Sequence, residues 1–194
     1  WRVIPMDVCN ALVFGAISCI VSTFVMSTMY GNFITSSKLT TVAESDLNTR
    51  LHNRNAYENR LRDYPLRCSN SLTCVYIDVN GLHELNNTYG HEEGDKMLRT
   101  VACILREIFG EEDSYRIGGD EFVAFALDSP DTELNENIER FVRQVEEAGY
   151  SVAVGTASHS AGGIDIDALI KKAEQRMYLD KSRHYEQLRR GTEE

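Results

Sequence analysis

The chain opens with a stretch that carries no charge and continues into a region where short apolar runs alternate with amphipathic ones. From Val8 to Ile34 there is no charged residue, and Asp7 and Lys38 bracket the stretch. About twenty residues of α-helix cross a hydrocarbon layer about 30 Å thick, so the pattern predicts a transmembrane helix. Asn10, Ser18, Ser22, Thr23, Ser27 and Thr28 interrupt it, but Ser and Thr hydroxyls can bond back to carbonyls of the preceding turn and so tolerate lipid. Residues 1–34 read as the C-terminal end of a longer membrane region and residues 35–45 as a short helical connector. Lys38, Arg50, Arg54, Arg60 and Arg62 follow the span, against Arg2 before it. That excess puts the following domain on the cytoplasmic side of an inner (plasma) membrane.

Beyond residue 46 the periodicity changes repeatedly. Asn53–Leu61 has helical composition and ends before Pro65, while Leu72–Ile77 is a β-branched and aromatic run closing on Asp78, the pattern of a buried central strand. A short helix is predicted over Gly81–Asn87. A longer one runs from about Glu92 to Phe109, with Met97, Leu98, Val101, Ile104, Leu105 and Ile108 at helical spacing. Two hairpin strands follow, Asp113–Ile117 and Val123–Leu127, then a helix over about 131–148 and a strand over Tyr150–Gly155. The last helix covers about 165–188, with Leu169, Ile170, Ala173, Met177 and Tyr178 inward. Strands interleaved with helices around a central hairpin predict an α/β domain, a mixed central sheet flanked by α-helices.

The length, 194 residues, suits one domain of ordinary size with an appendage. The net charge of −10 argues against non-specific binding of nucleic acid, which needs a basic face. A nucleotide substrate stays open, because a bound metal would supply the positive charge. Cys9, Cys19, Cys68, Cys74 and Cys103 show neither CxxC pairing nor zinc spacing, and three of them fall in apolar runs, so buried free thiols in a reducing compartment are expected.

The chemistry concentrates in two places. Gly118-Gly119-Asp120-Glu121-Phe122 lies between the hairpin strands, so two adjacent carboxylates occupy a glycine turn. Asp78 ends the buried strand. If the hairpin pairs with that strand, Asp78 and Asp120 converge and can share one or two Mg²⁺ or Mn²⁺ ions, since hard oxygen ligands suit metals that arrive with a triphosphate.

These motifs, in this order, resemble the diguanylate cyclase (GGDEF) family, with residues 46–190 as the domain. The family's opening motif corresponds to Asp46-Leu47-Asn48-Thr49-Arg50-Leu51-His52-Asn53-Arg54, and its central stretch to the segment from Asp78 through Asn86, Gly90 and His91 to Gly94-Asp95. Ser151–Gly155 resembles the late strand and Ala173–Lys181 the closing helix. The resemblance implies a nucleotide-cyclase, palm-like core that condenses two GTP into cyclic di-GMP across a homodimer, with Mg²⁺ or Mn²⁺ and no nucleic-acid partner. It implies that Asp78, Asp120 and the Val79 carbonyl hold metal, and that Asp120, Glu121 and His83 serve catalysis. Asn86 and Asp95 would read the guanine edge and His91 would contact substrate, while Gly118, Gly119 and Lys181 would receive the phosphates. Three departures bear on activity. His83 replaces a lysine, Asn48 and Arg50 replace Leu and Gly in the opening motif, and Phe109-Gly110-Glu111-Glu112 stands where a product-inhibition Arg-x-x-Asp is usual. An alternative is a degenerate module that binds GTP or dimerises without turnover.

Overall fold

The structure, a computed structural model, describes residues 10, 14–30 and 44–192. The chain forms two compact units, residues 1–43 and 44–194.

In the first unit the described part is a helix, α1 (residues 14–30). The hydroxyls of Thr23 and Thr28 donate to the carbonyls of Cys19 (3.0 Å) and Phe24 (2.9 Å), the back-bonding expected of these residues in a helix. The predicted span over 8–34 is met only in part. Its ends, and residues 35–43 of the predicted connector, lie outside the described residues. Among the described residues no helix is long and apolar enough to cross a membrane.

The second unit is built on a five-stranded sheet in the order β1-β3-β4-β2-β5. The strands are β1 (His52–Asn53), β2 (Ser71–Val79), β3 (Ser114–Arg116), β4 (Glu121–Leu127) and β5 (Val152–Ser160). β2 pairs antiparallel with both β4 and β5, whereas β1 pairs parallel with β3, so the sheet is mixed, as predicted. The remaining helices are α2 (Arg54–Arg60), α3 (Tyr64–Arg67), α4 (Leu82–Tyr89), α5 (His91–Phe109), α6 (Asp131–Glu147) and α7 (Ile166–Thr192).

The alternation of side chains along β2 creates two cores. Val75, Ile77 and Val79 join Met97, Leu98, Val101 and Leu105 of α5 and Phe141 and Val145 of α6. Leu72, Cys74 and Tyr76 face the other way, toward Ala56 and Tyr57 of α2, Tyr64 of α3, and Leu169, Ala173 and Met177 of α7. Asp78 continues this second row and is itself buried. Cys68 and Cys74 are buried free thiols as expected, but Cys103 is half-buried and Cys19 exposed; Cys9 lies outside the described residues.

Three features differ from the sequence reading. β5 extends to Ser160, because every residue of Ser71–Val79 finds a β5 partner and pairing overrides the polar composition of Thr156–Ser160. Pro65 starts a short helix rather than ending one, occupying the first turn of α3, where a missing N–H costs nothing. The two-residue β1 had no legible pattern.

Candidate active site

The register of β2 and β4 places Asp78 opposite Glu121, and the Val79 amide donates to the Asp120 carbonyl at 3.0 Å. The acid that ends the central strand and the acids of the glycine turn therefore meet at one end of the sheet. From α7, Lys181 Nζ approaches Asp78 Oδ1 at 2.6 Å, forming an ion pair. Burial pushes the Asp78 carboxyl above the usual carboxylate range. Lys181 pulls it back only in part, and the Asp120 charge adds to the rise. Glu121 Oε1 accepts a hydrogen bond from the Tyr76 hydroxyl (3.2 Å), which turns this carboxylate along β2.

The turn itself is held from outside. Arg116, the last residue of β3, donates through Nη2 to the Gly119 carbonyl (2.8 Å) and through Nη1 to Asp46 Oδ1 (3.0 Å). Asp46 also accepts from the Thr49 amide (2.8 Å) and hydroxyl (2.7 Å). Burial alone would raise the Asp46 carboxyl, but the Thr49 hydrogen bonds and Arg116 outweigh it and hold it below the usual range. The opening motif is thus tied to the glycine turn through one guanidinium. Arg50 adopts φ 64°, a left-handed conformation for which glycine is the ordinary residue. Gly119 has open space where a Cβ would stand, and a Cβ on Gly118 would meet only the flexible Glu121 side chain.

A second cluster lies on the α4–α5 pair. Gly90, at φ 90°, separates the two helices. Asn86 of α4 lies directly over Gly94 of α5, where any Cβ would collide with its amide. Its Oδ1 is buried without a hydrogen bond among the described residues. Asp95, the next residue on α5, accepts a hydrogen bond from Asn48 Nδ2 at 2.9 Å. His83 and His91 are exposed at the starts of α4 and α5 and make no hydrogen bond or ion pair among the described residues. The structure therefore gathers Asp78, Val79, Asp120, Glu121 and Lys181 in one place and Asn86 and Asp95 in another. Arg116, Asn48 and Arg99 were not singled out as site residues, because their roles rest on contacts distant in sequence.

The donor set at the sheet end is one buried and one half-buried carboxylate. Among the described residues no three His, Cys, Asp or Glu side chains gather as a metal cage. Two hard oxygen donors on an open site fit a divalent cation whose remaining ligands come from water and a phosphate-bearing substrate.

Residues 43–187 match the family model described as "Diguanylate cyclase, GGDEF domain", and the chain belongs to that family. It is 31% identical over 155 residues to the cyclic di-GMP phosphodiesterase PdeR of Escherichia coli (strain K12), a match covering 74% of this chain and 23% of PdeR. It is 30% identical over 128 residues to the diguanylate cyclase DosC of the same organism, covering 60% of this chain and 28% of DosC. The chain therefore spans less than a third of either relative. Among solved structures, the coiled coil and GGDEF domain of DgcB from Caulobacter crescentus, in complex with c-di-GMP, shares the fold. Its TM-score is 0.72 at 18% identity, with 84% of this chain and 94% of that one covered. One relative is named for hydrolysing cyclic di-GMP and another for making it, so the likeness identifies the domain and leaves the reaction to the site.

Proposed function

We propose that this domain is a diguanylate cyclase, condensing two GTP into cyclic di-GMP and two pyrophosphates, with one nucleotide on each protomer of a homodimer. The observation that carries the reading is the meeting of Asp78 with the Asp120–Glu121 tip at one sheet end, under Lys181. Asp78, Asp120 and the Val79 carbonyl would hold Mg²⁺ or Mn²⁺, which when bound neutralises polyphosphate charge and acidifies a coordinated hydroxyl. The Asp95 carboxylate accepts the N1 and N2 protons of guanine, a pair that adenine lacks, and Asn86 completes the base contact. His91 contacts the nucleotide. Gly118 and Gly119 leave the turn open to phosphate oxygens, and Lys181 contributes charge to them. The 3′-hydroxyl oxygen of one nucleotide bonds to the α-phosphorus of the other as the bond to pyrophosphate breaks. Asp120, with Glu121 beside it, takes the hydroxyl proton. Positioning and charge neutralisation supply most of the acceleration in such transfers.

A second reading, a GTP-binding or dimerisation module without turnover, is favoured by one observation. His83, in place of a lysine, stands exposed, and its side chain makes no ion pair among the described residues. Incubation with GTP and Mg²⁺ or Mn²⁺ separates the two. Cyclic di-GMP detected by mass, and lost in Asp120→Ala, establishes the cyclase; GTP binding without product establishes the module. The reading includes no product inhibition through Phe109–Glu112, which lacks an arginine fork.

The reading also places the domain on the cytoplasmic side of the inner (plasma) membrane, anchored through the segment that contains α1. Supporting it are the exposed Phe14, Ile17, Ile20, Val21, Phe24 and Val25 of α1 and the basic residues after it. Extraction of the protein from membranes by alkaline carbonate would reject the anchor.

A further inference from the structure

The geometry points to Asn48 as a positioning residue that aims the Asp95 carboxylate at the base, an inference that rests on the guanine reading proposed for Asp95. Asn48 Nδ2 donates to Asp95 Oδ1 at 2.9 Å, and Asn48 Oδ1 accepts from Arg99 Nη1 at 2.8 Å. A guanidinium has no acceptor, so the atom facing Arg99 is the amide oxygen and the NH₂ group faces Asp95; the orientation of the amide is fixed by its neighbours. The loop that carries Asn48 is braced by the bonds from Thr49 to Asp46 and from Asp46 to Arg116.

Asp95 and Arg99 lie four residues apart on α5, the spacing at which an acid and a base on one helix pair directly. In this structure they do not. The Asn48 amide stands between them, bonded to each, and keeps the carboxylate from closing onto the guanidinium along the helix axis. A leucine, the residue of the resembling motif, offers neither bond. Without the amide, Arg99 competes for the same acceptor oxygens that the N1 and N2 protons of guanine require. Asn48 thus tunes the preference for a base with two adjacent donors without touching that base.

The test is equilibrium binding of GTP and ITP, with Mg²⁺, to the full chain by calorimetry. ITP keeps the N1 proton and lacks the exocyclic amine, so it depends less on how the carboxylate is aimed. Asn48→Leu is expected to weaken GTP binding by about tenfold, the size of one charge-assisted hydrogen bond, and to weaken ITP binding less. Asn48→Ala, which adds no bulk, gives the same result. Arg99→Gln in the Asn48→Leu background restores part of the GTP preference by removing the competitor. Asn48→Leu added to Asp95→Ala has no further effect. An unchanged GTP-to-ITP preference in Asn48→Leu, whether both affinities hold or both fall equally, overturns the role of Asn48 while leaving the guanine reading intact. If Asp95→Ala itself leaves GTP binding unaltered, the guanine reading fails and the role of Asn48 falls with it.

Discussion

Gly155 of β5 lies against the α7 backbone at Ala173, with no room for a side chain between them. A Cβ at this position would overlap the Ala173 carbonyl oxygen and the Met177 amide nitrogen. Gly155 pairs with Tyr76 in register, two residues before Asp78, and Lys181 lies one helical turn beyond Met177. The close approach of helix to sheet is therefore what carries the lysine over the buried acid.

Gly155→Ala should cost about 3 kcal/mol, the upper end of overpacking penalties, because the obstruction is backbone and no rotamer change relieves it. Urea denaturation measures this directly. An unchanged midpoint at unchanged slope would show that α7 can lift without loss, and would detach Lys181 from the packing argument.

Gly119→Ala is expected to behave in the opposite way. Nothing lies within 4 Å of the added Cβ, and the residue is outside the left-handed region. Stability should hold or rise by about 0.4–1 kcal/mol through the unfolded chain. If phosphate oxygens approach the turn as proposed, GTP affinity falls while the fold is untouched. Equal affinity in calorimetry would mean that the nucleotide does not pass over this glycine.

The contrast between these glycines marks what was legible in the sequence. Both belong to motifs, but only the structure separates one held by packing from one left open. The long apolar run of β2 and the spacing of Met97, Leu98, Val101 and Leu105 identified the central strand and α5 because burial imposes those periods. Asp78 and Asp120 could be paired in advance because strand ends and turn tips are fixed by local pattern. Arg116 could not, since its value lies in joining Asp46 to Gly119, a contact distant in sequence that leaves no periodic trace. The polar half of β5 was missed for a related reason: its order comes from Ser71–Cys74 across the ladder rather than from its own residues.

Arg116→Lys should uncouple the opening motif from the glycine turn. Lysine presents one ammonium on a flexible stem and cannot hold the fork that reaches both Asp46 and Gly119. We expect a loss of about 1–2 kcal/mol, since the side chain is only 14% exposed. The pH dependence gives a sharper reading. The Asp46 carboxyl is held below its ordinary range, so its contribution is present above that range and lost as pH falls through the lowered value. Removing the guanidinium moves that value upward, and the acid loss of stability should begin at higher pH in the variant. Carboxyl titration of Asp46 by NMR in both proteins checks this; superimposable curves would rule out Arg116 as the cause.

Lys181→Met tests the buried acid from the other side. Asp78 is 5% exposed, and burial, only partly offset by Lys181, sets its carboxyl above the ordinary range. A raised value in the folded state means that the group's contribution is fully present below about pH 4 and is lost as pH rises through that value. Taking away the ammonium raises the value further and leaves a buried charge without its partner at neutral pH. The variant should therefore be less stable by about 2 kcal/mol at neutral pH, with the deficit shrinking as the solution is acidified and Asp78 takes up a proton. Asp78→Asn added to Lys181→Met should recover most of the loss, because a neutral amide needs no counter-charge. Urea midpoints across the acid-to-neutral range separate this from simple loss of packing by the lysine stem. A deficit that is the same at every pH, and that Asp78→Asn fails to reduce, would mean that Lys181 supports the fold through its methylenes and not through Asp78.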